Sequence, residues 1–489
     1  MGLVAGVDSS TQSTKVELRD IDSGALVGLG RAPHAPVSPP RSEQYPRDWW
    51  DAFNAAFAKA LLDASSRVGR SVTVRTIEAI SVAGQQHGLV VTDGAGVVIR
   101  PAKLWNDTES APDATRLRGL LSDGDYGWAK ACGSVPVAAL TISKLAWLRR
   151  VEPSVFAHIA KVLLPHDWLT YKLTGRFCTD RGDASGTGYW SPSEEMWRFD
   201  LLDLVDPTVD WETKLPEVLD PVEAAGDWEG IVVAPGTGDN MAAALGIGLA
   251  PGDVAISLGT SGTAFAVSDT PACDPSGYVS GFADASGRFL PLVCTLNATK
   301  VTDTVGVVLG IDRSAMSAMA LSEPLGAQGT VVVPYFDGER TPNRPYARGG
   351  VLGLSTSTSA ANLVRASFEG VVCSILDAKD HLPGTSGALF LVGGGSRLPA
   401  YQEIIAELAD QEVIVAREEE TVAAGACVQA AAVITGSRTN QIVDTWGLHQ
   451  GAIVDSRGRT SFKGASAREV RESYRHAAAS ELWDMGNGE

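Results

Sequence analysis

The chain has 489 residues, of which 44% are hydrophobic and 20% charged, and its net charge is −18. Length and composition fit a soluble globular protein of two or three domains, and the acidic balance excludes nucleic-acid binding, which needs a basic stripe. No run of about 18 apolar residues occurs and no basic segment precedes an apolar stretch at the N-terminus, so neither a membrane partner nor a signal peptide is expected. Six scattered cysteines without C-x-x-C spacing and seven scattered histidines predict a reduced, cytoplasmic protein with no metal cluster.

Residues 3–9 and 15–20 read as a β-hairpin, followed by a strand near 25–31, a proline-rich loop over 32–46 and a helix capped by Asp48 that reaches about 68. A strand over 77–82 leads into Ala83-Gly-Gln-Gln86-His87-Gly88. Helices are expected around 108–122, 141–150 and 166–173, and Thr179 to Trp190 reads as a polar, glycine-rich loop. Residues 231–250 run strand, loop and helix, with Asp239-Asn240 at the loop end. Pro251-Gly252 punctuates the two halves. The second half has hairpins over 253–268 and 275–295 and helices over 297–309 and 359–380. A strand at 388–392 enters Gly393-Gly-Gly-Ser396, followed by a helix over 400–409, a strand over 412–416, a small-residue helix over 421–434 and a last helix over 466–482.

One kind of hairpin opens both halves. Val4-Ala-Gly-Val-Asp8-Ser-Ser-Thr11-Gln-Ser-Thr14-Lys15 and Val254-Ala-Ile-Ser-Leu-Gly259-Thr260-Ser-Gly262-Thr263 each join two strands through a Gly/Ser/Thr turn. Such turns expose backbone N–H groups and hydroxyls that can wrap phosphate oxygens, and the pair suggests two related domains serving one nucleotide. Asp8 beside the first turn can hold Mg²⁺ or merely cap the turn. Asp239 is either an N-cap or a general base for a substrate hydroxyl, as phosphoryl transfer requires. Gln86, His87, Trp105 and Asn106 offer the amides, imidazole and flat apolar wall of a polyol pocket, although His87 and Trp105 taken singly could be structural. Lys15 could neutralise phosphate or be a solvated strand residue. The glycines at 393–395 could admit a flat ring or form a tight strand–helix turn.

Taken together these motifs resemble the FGGY carbohydrate kinase family, most of all its xylulose-phosphorylating members. The resemblance spans about 1–440, and its most specific stretches are Gly349 to Gly370 and Tyr335-Phe-Asp-Gly-Glu339-Arg340-Thr-Pro342. It implies an α/β fold of two actin-like, ribonuclease-H-like ATPase domains with an interdomain cleft. The N-terminal domain is expected over 1–250, the C-terminal domain over 251–440 and a helical extension over 441–489. Carried over, Asp239 matches the catalytic base and Asp8 the metal-linked carboxylate. Thr11, Lys15, Gly259 and Thr260 fall on the phosphates, and Gly394 and Gly395 on the adenine side. Gln86, His87, Trp105, Asn106, Asp239 and Asn240 fall on the sugar. The implied activity is ATP- and Mg²⁺-dependent phosphorylation of a ketopentose, D-xylulose first, with a homodimer as one oligomeric option. Rival readings are a kinase for ribulose, gluconate or an alditol, an actin-like ATPase without sugar chemistry, and an inactive sugar sensor. Three positions depart from the pattern: Gln86 stands where Met is common, Glu109 where Arg is common, and Pro399 where some members carry a polar residue near the adenine.

Overall fold

Strands β1 (Leu3–Ser9), β2 (Ser13–Asp20) and β3 (Leu26–Pro33) form an antiparallel meander in the computed structural model, which describes residues 2–455 and 464–484. β4 (Ile77–Gly84) lies parallel to β1. With β5 (Gly226–Trp228) and β6 (Ile231–Val233) the sheet runs β5-β6-β4-β1-β2-β3, and β7 (Thr237–Gly238) also pairs in parallel with β4.

Every residue of β1 is buried, as expected for a strand covered on both faces. The helix Pro46–Val68 covers the face of Gly28 and Gly30 and buries Trp49, Phe53, Ala56, Phe57 and Ala60. It starts at Pro46, so Asp48 lies in the first turn rather than at the cap; a proline suits that first position because its missing N–H would be unpaired anyway. The helix Thr421–Thr435 covers the opposite face, where Gly6 leaves room for it: a Cβ there would fall 2.1 Å from the Ala423 carbonyl oxygen. The same helix crosses Asp239–Ile247 at a glycine contact. A Cβ on Gly425 would fall 1.8 Å from the Ala242 oxygen, and one on Gly246 would fall 1.9 Å from the Thr421 oxygen.

These elements belong to one compact unit, which gathers the residues up to Gly248, Asp269–Leu290 and Glu420–His449. A second unit gathers Leu249–Ser268, Pro291–Glu419 and the described residues from Gln450 on. In it, β8 (Val254–Leu258), β9 (Gly262–Ala266) and β10 (Phe289–Thr295) form another antiparallel meander. β11 (Leu389–Val392) and β12 (Val413–Ala416) run parallel beside β8, and β13 (Gly451–Ile453) pairs antiparallel with β12. The order β10-β9-β8-β11-β12 repeats β3-β2-β1-β4-β6 of the first unit.

Of the expected C-terminal extension, residues 456–463 and 485–489 lie outside the described residues. Its helix runs Ala467–Ala478 from a Ser466 cap, and Arg475 pairs with Asp377 at 2.8 Å.

Candidate active site

Three parallel strands of the first unit end at one level. Asp8 on β1 and Thr237 on β7 both pair with Ala83 of β4, while Ser9 and Gly238 both pair with Gly84. The chain leaves all three at their carboxyl ends, the edge where open α/β sheets bind ligands. Asp8, Gln86-His87 and Asp239-Asn240 therefore converge. The Asn240 side-chain amide ties two of these segments, donating to Gln86 Oε1 at 2.7 Å and to Asp239 Oδ1 at 3.1 Å. Gln86 Nε2 and Asp8 Oδ1, both buried, have no hydrogen-bond partner among the described residues.

Asp239 is half-buried and opens the helix Asp239–Ile247, with Gly238 rather than Asp239 as the cap. Burial, then the charges of Asp8 and Asp183, push its carboxyl up to about 8. A carboxyl so raised holds its proton strongly once it takes one, which suits a base near neutral pH. Burial also raises Asp8, against the pull of Lys15. Lys15 lies 3.3 Å from Asp8 Oδ2 and also bonds Glu420. Burial lowers the Lys15 ammonium, but these two carboxylates more than offset it and its pKa is raised.

Trp105 is 43% exposed, so it is not a core residue. Its indole N–H donates to Thr11 Oγ1 at 2.9 Å, and that hydroxyl donates to Gln85 Oε1 at 3.0 Å. The indole thus stands over the first hairpin turn. Asn106 Oδ1 is buried without a hydrogen-bond partner. Asp107 anchors the loop through the Ser42 N–H at 2.9 Å and Lys103 at 2.8 Å. Glu109 pairs with the same lysine at 2.6 Å, so the carboxylate there has a local cation to serve.

His87 takes a φ of +64°, a left-handed conformation uncommon outside glycine. Its Nδ1 lies 2.7 Å from the Gly186 carbonyl, which can only accept, so Nδ1 carries a proton. The ring rests against Phe282 at a centroid distance of 5.4 Å.

The stretch Thr179 to Trp190 corrects the sequence expectation of a polar loop: every residue in it is buried. Cys178–Asp180 is a strand and Arg181–Ala184 a helical turn capped by Asp180. Its acids surround a fully buried imidazole. His166 Nδ1 lies 2.7 Å from Asp183, and its Nε2 lies 3.2 Å from Asp167 and 3.7 Å from Asp180. Burial alone would lower the imidazole, but the three carboxylates raise it to about 9. Asp180 also accepts from Thr237 Oγ1 at 2.7 Å, two residues before Asp239. Sequence reasoning passed over this cluster. His166-Asp167 stands within the otherwise apolar Leu163-Leu-Pro-His-Asp-Trp-Leu169, but Asp180 and Asp183 lie in a polar stretch that carries no such signal.

In the second unit, Gly259-Thr260 and Gly394-Gly395 follow the adjacent parallel strands β8 and β11. The Thr299 and Ala298 N–H groups donate to the Gly259 and Thr260 carbonyls at 3.0 and 3.1 Å, fixing the hairpin turn at the start of a helix. A Cβ on Gly395 would fall 2.8 Å from that of Leu258, whereas one on Gly394 would meet nothing within 4 Å. Gly394 is thus open to an incoming group. A cavity of about 780 Å³ in this unit is lined by Arg313, Ser317, Leu321, Arg397 and Pro399.

The FGGY family of carbohydrate kinases matches this chain through its N-terminal domain over residues 3–246 and its C-terminal domain over residues 254–434. A xylulose kinase of Streptomyces coelicolor is 44% identical over 469 residues, which is 93% of this chain and 92% of that protein. One of Haemophilus influenzae is 34% identical, over 87% of this chain and 89% of that protein. The crystal structure of xylulose kinase from Bifidobacterium adolescentis superposes with a TM-score of 0.83 at 37% identity, covering 97% of this chain and 99% of that one.

Proposed function

The chain belongs to the FGGY family of carbohydrate kinases, with two actin-like domains, and on that premise we propose that it transfers the γ-phosphoryl group of ATP to the terminal hydroxyl of D-xylulose, giving D-xylulose 5-phosphate. The observation that carries the reading is the convergence of Asp239 with the Gln86-His87 segment, held by Asn240. Asp239 takes the proton of the sugar hydroxyl as its oxygen attacks phosphorus; the O–P bond to ADP breaks as the new one forms. Gln86, His87, Trp105, Asn106 and Asn240 position the sugar through amide, imidazole and indole contacts. Thr11 and Lys15 at the first hairpin, and Gly259 and Thr260 at the second, take the phosphates. Gly394 and Gly395 take the adenine side, where a Cβ on Gly394 would meet nothing within 4 Å.

Asp8 would hold Mg²⁺, and a buried carboxylate oxygen without a partner fits a hydrated divalent cation. The ion would offset phosphate charge. We take residues 1–250 and 251–440 as the functional halves, and a cytoplasmic setting in accord with six free cysteines. The test is ADP release over a panel of pentuloses, hexuloses, gluconate and alditols. D-xylulose is expected to show the highest kcat/KM. A higher value for ribulose, gluconate or an alditol would overturn the substrate assignment.

A further inference from the structure

Lys144 is completely buried, yet among the described residues its ammonium meets no carboxylate at hydrogen-bond distance. Its Nζ donates instead to two backbone carbonyls, that of His87 at 3.0 Å and that of Ala139. Thr141, also fully buried, donates its hydroxyl to the same His87 carbonyl at 3.2 Å. The two donors stand three residues apart in the first turn of the helix Thr141–Val151, hence on one face. Both point at the single peptide whose residue is held at φ +64°.

We propose that Lys144, assisted by Thr141, is a positioning residue for sugar binding: it clamps the His87 peptide in its left-handed turn and so sets the direction of the imidazole. The inference rests on the reading of His87 as a sugar contact. Left-handed backbone is unfavourable for a residue with a Cβ and persists where surrounding structure over-determines it. Here the carbonyl is fixed by Lys144 and Thr141 and the ring by Gly186, so both ends of the residue are held. The ring has little slack, because a Cβ on Gly186 would fall 2.6 Å from His87 Nδ1. A buried lysine serving packing alone would be poorly placed. Desolvation lowers this ammonium to about 7, with Asp107 opposing and Lys103 adding to the fall. Such a cost is sustained where the donor performs a task that an apolar side chain cannot.

The experiment compares wild type, K144M, H87A and the double variant by steady-state kinetics with whichever sugar the wild type phosphorylates best. K144M is expected to raise the sugar KM roughly tenfold, the scale of one lost charge-assisted hydrogen bond, with the ATP KM unchanged. If Lys144 acts through His87, the double variant binds sugar no more weakly than H87A alone. An unchanged sugar KM in K144M, or additive losses in the double variant, would overturn the inference while leaving the sugar-kinase reading intact. No change of sugar KM in H87A would overturn the His87 assignment and the inference with it. Should K144M fail to fold in a thermal scan, T141V removes the second donor from the same carbonyl. It is then expected to raise the sugar KM about threefold, and an unchanged value is the overturning result.

Discussion

Asn240 Nδ2 lies 2.7 Å from Gln86 Oε1, so the residue after Asp239, the proposed base, is tied to the residue before His87, the proposed sugar contact. That bond uses the acceptor end of Gln86 and leaves its buried donor end without a hydrogen-bond partner among the described residues. On the proposed reading of the site, that donor bonds a sugar hydroxyl. Q86M removes it and also strips Asn240 of its acceptor. The ratio of kcat/KM between D-xylulose and D-ribulose is expected to shift at least about tenfold, because a site built to bond a hydroxyl discriminates strongly on it. An unchanged ratio would return Gln86 to a purely structural role.

For Asp239 the sign of the pH effect is set by its raised carboxyl. The folded pKa, about 8, lies above the ordinary carboxylate value of 3.8, so the folded state binds more protons than the unfolded state between these limits. Stability from this group is full below the lower value and declines as pH rises through the higher one. Activity runs the other way, since the base must be ionised. kcat/KM is expected to rise with pH toward about 8 in wild type. D239N should cut turnover by about 10²–10⁴-fold. It should also flatten the fall in Tm between pH 6 and pH 9, because an amide does not ionise. Retention of a tenth of the turnover, or a Tm profile parallel to wild type, would remove Asp239 from this role.

His166 has the opposite chemistry and the same direction of effect. Its folded pKa, about 9, lies above its ordinary 6.5, so its contribution is fully present below 6.5 and is lost as pH rises through about 9. H166Q leaves Asp167, Asp180 and Asp183 buried around a neutral side chain. Breaking such an ensemble costs about 3–5 kcal/mol. Denaturant unfolding is expected to show that loss at pH 6 and a smaller one at pH 10. Equal losses at both values would mean that the imidazole is neutral in the folded protein.

The hairpins at 3–20 and 254–266 were legible because their signals are local: alternation, turn residues and glycine. Asp239, Asn240, Gln86 and His87 were singled out by their motifs, and the strand register explains why the segments carrying Gln86 and Asp239-Asn240 come together. What local patterns concealed is long-range. The helix Thr421–Thr435 follows the second-half strands in sequence but covers the sheet of the first unit, as the small residues at Gly6, Gly246 and Gly425 require. The acids at 180 and 183 read as loop polarity because nothing in the segment itself says that it is buried around His166. Lys144 was hidden for the same reason, since its partners are backbone carbonyls, which no motif records.

The glycine crossing links fold to chemistry. Gly425 meets Ala242 in the helix that begins with Asp239, and the obstacle is a backbone carbonyl, which cannot swing aside as a side chain can. G425A must therefore push two helices apart, and overpacking of this kind costs about 1–3 kcal/mol. The displacement falls three residues from the base. A shift of the order of 1 Å at a reacting group can cost about 10²-fold in rate. G425A is expected to lower kcat well before it unfolds the protein, with the ATP KM little changed. The discriminating measurement is kcat at a temperature at least 10 °C below the variant's own Tm. Wild-type turnover there would show that the helix carrying Asp239 absorbs the strain without moving the carboxylate.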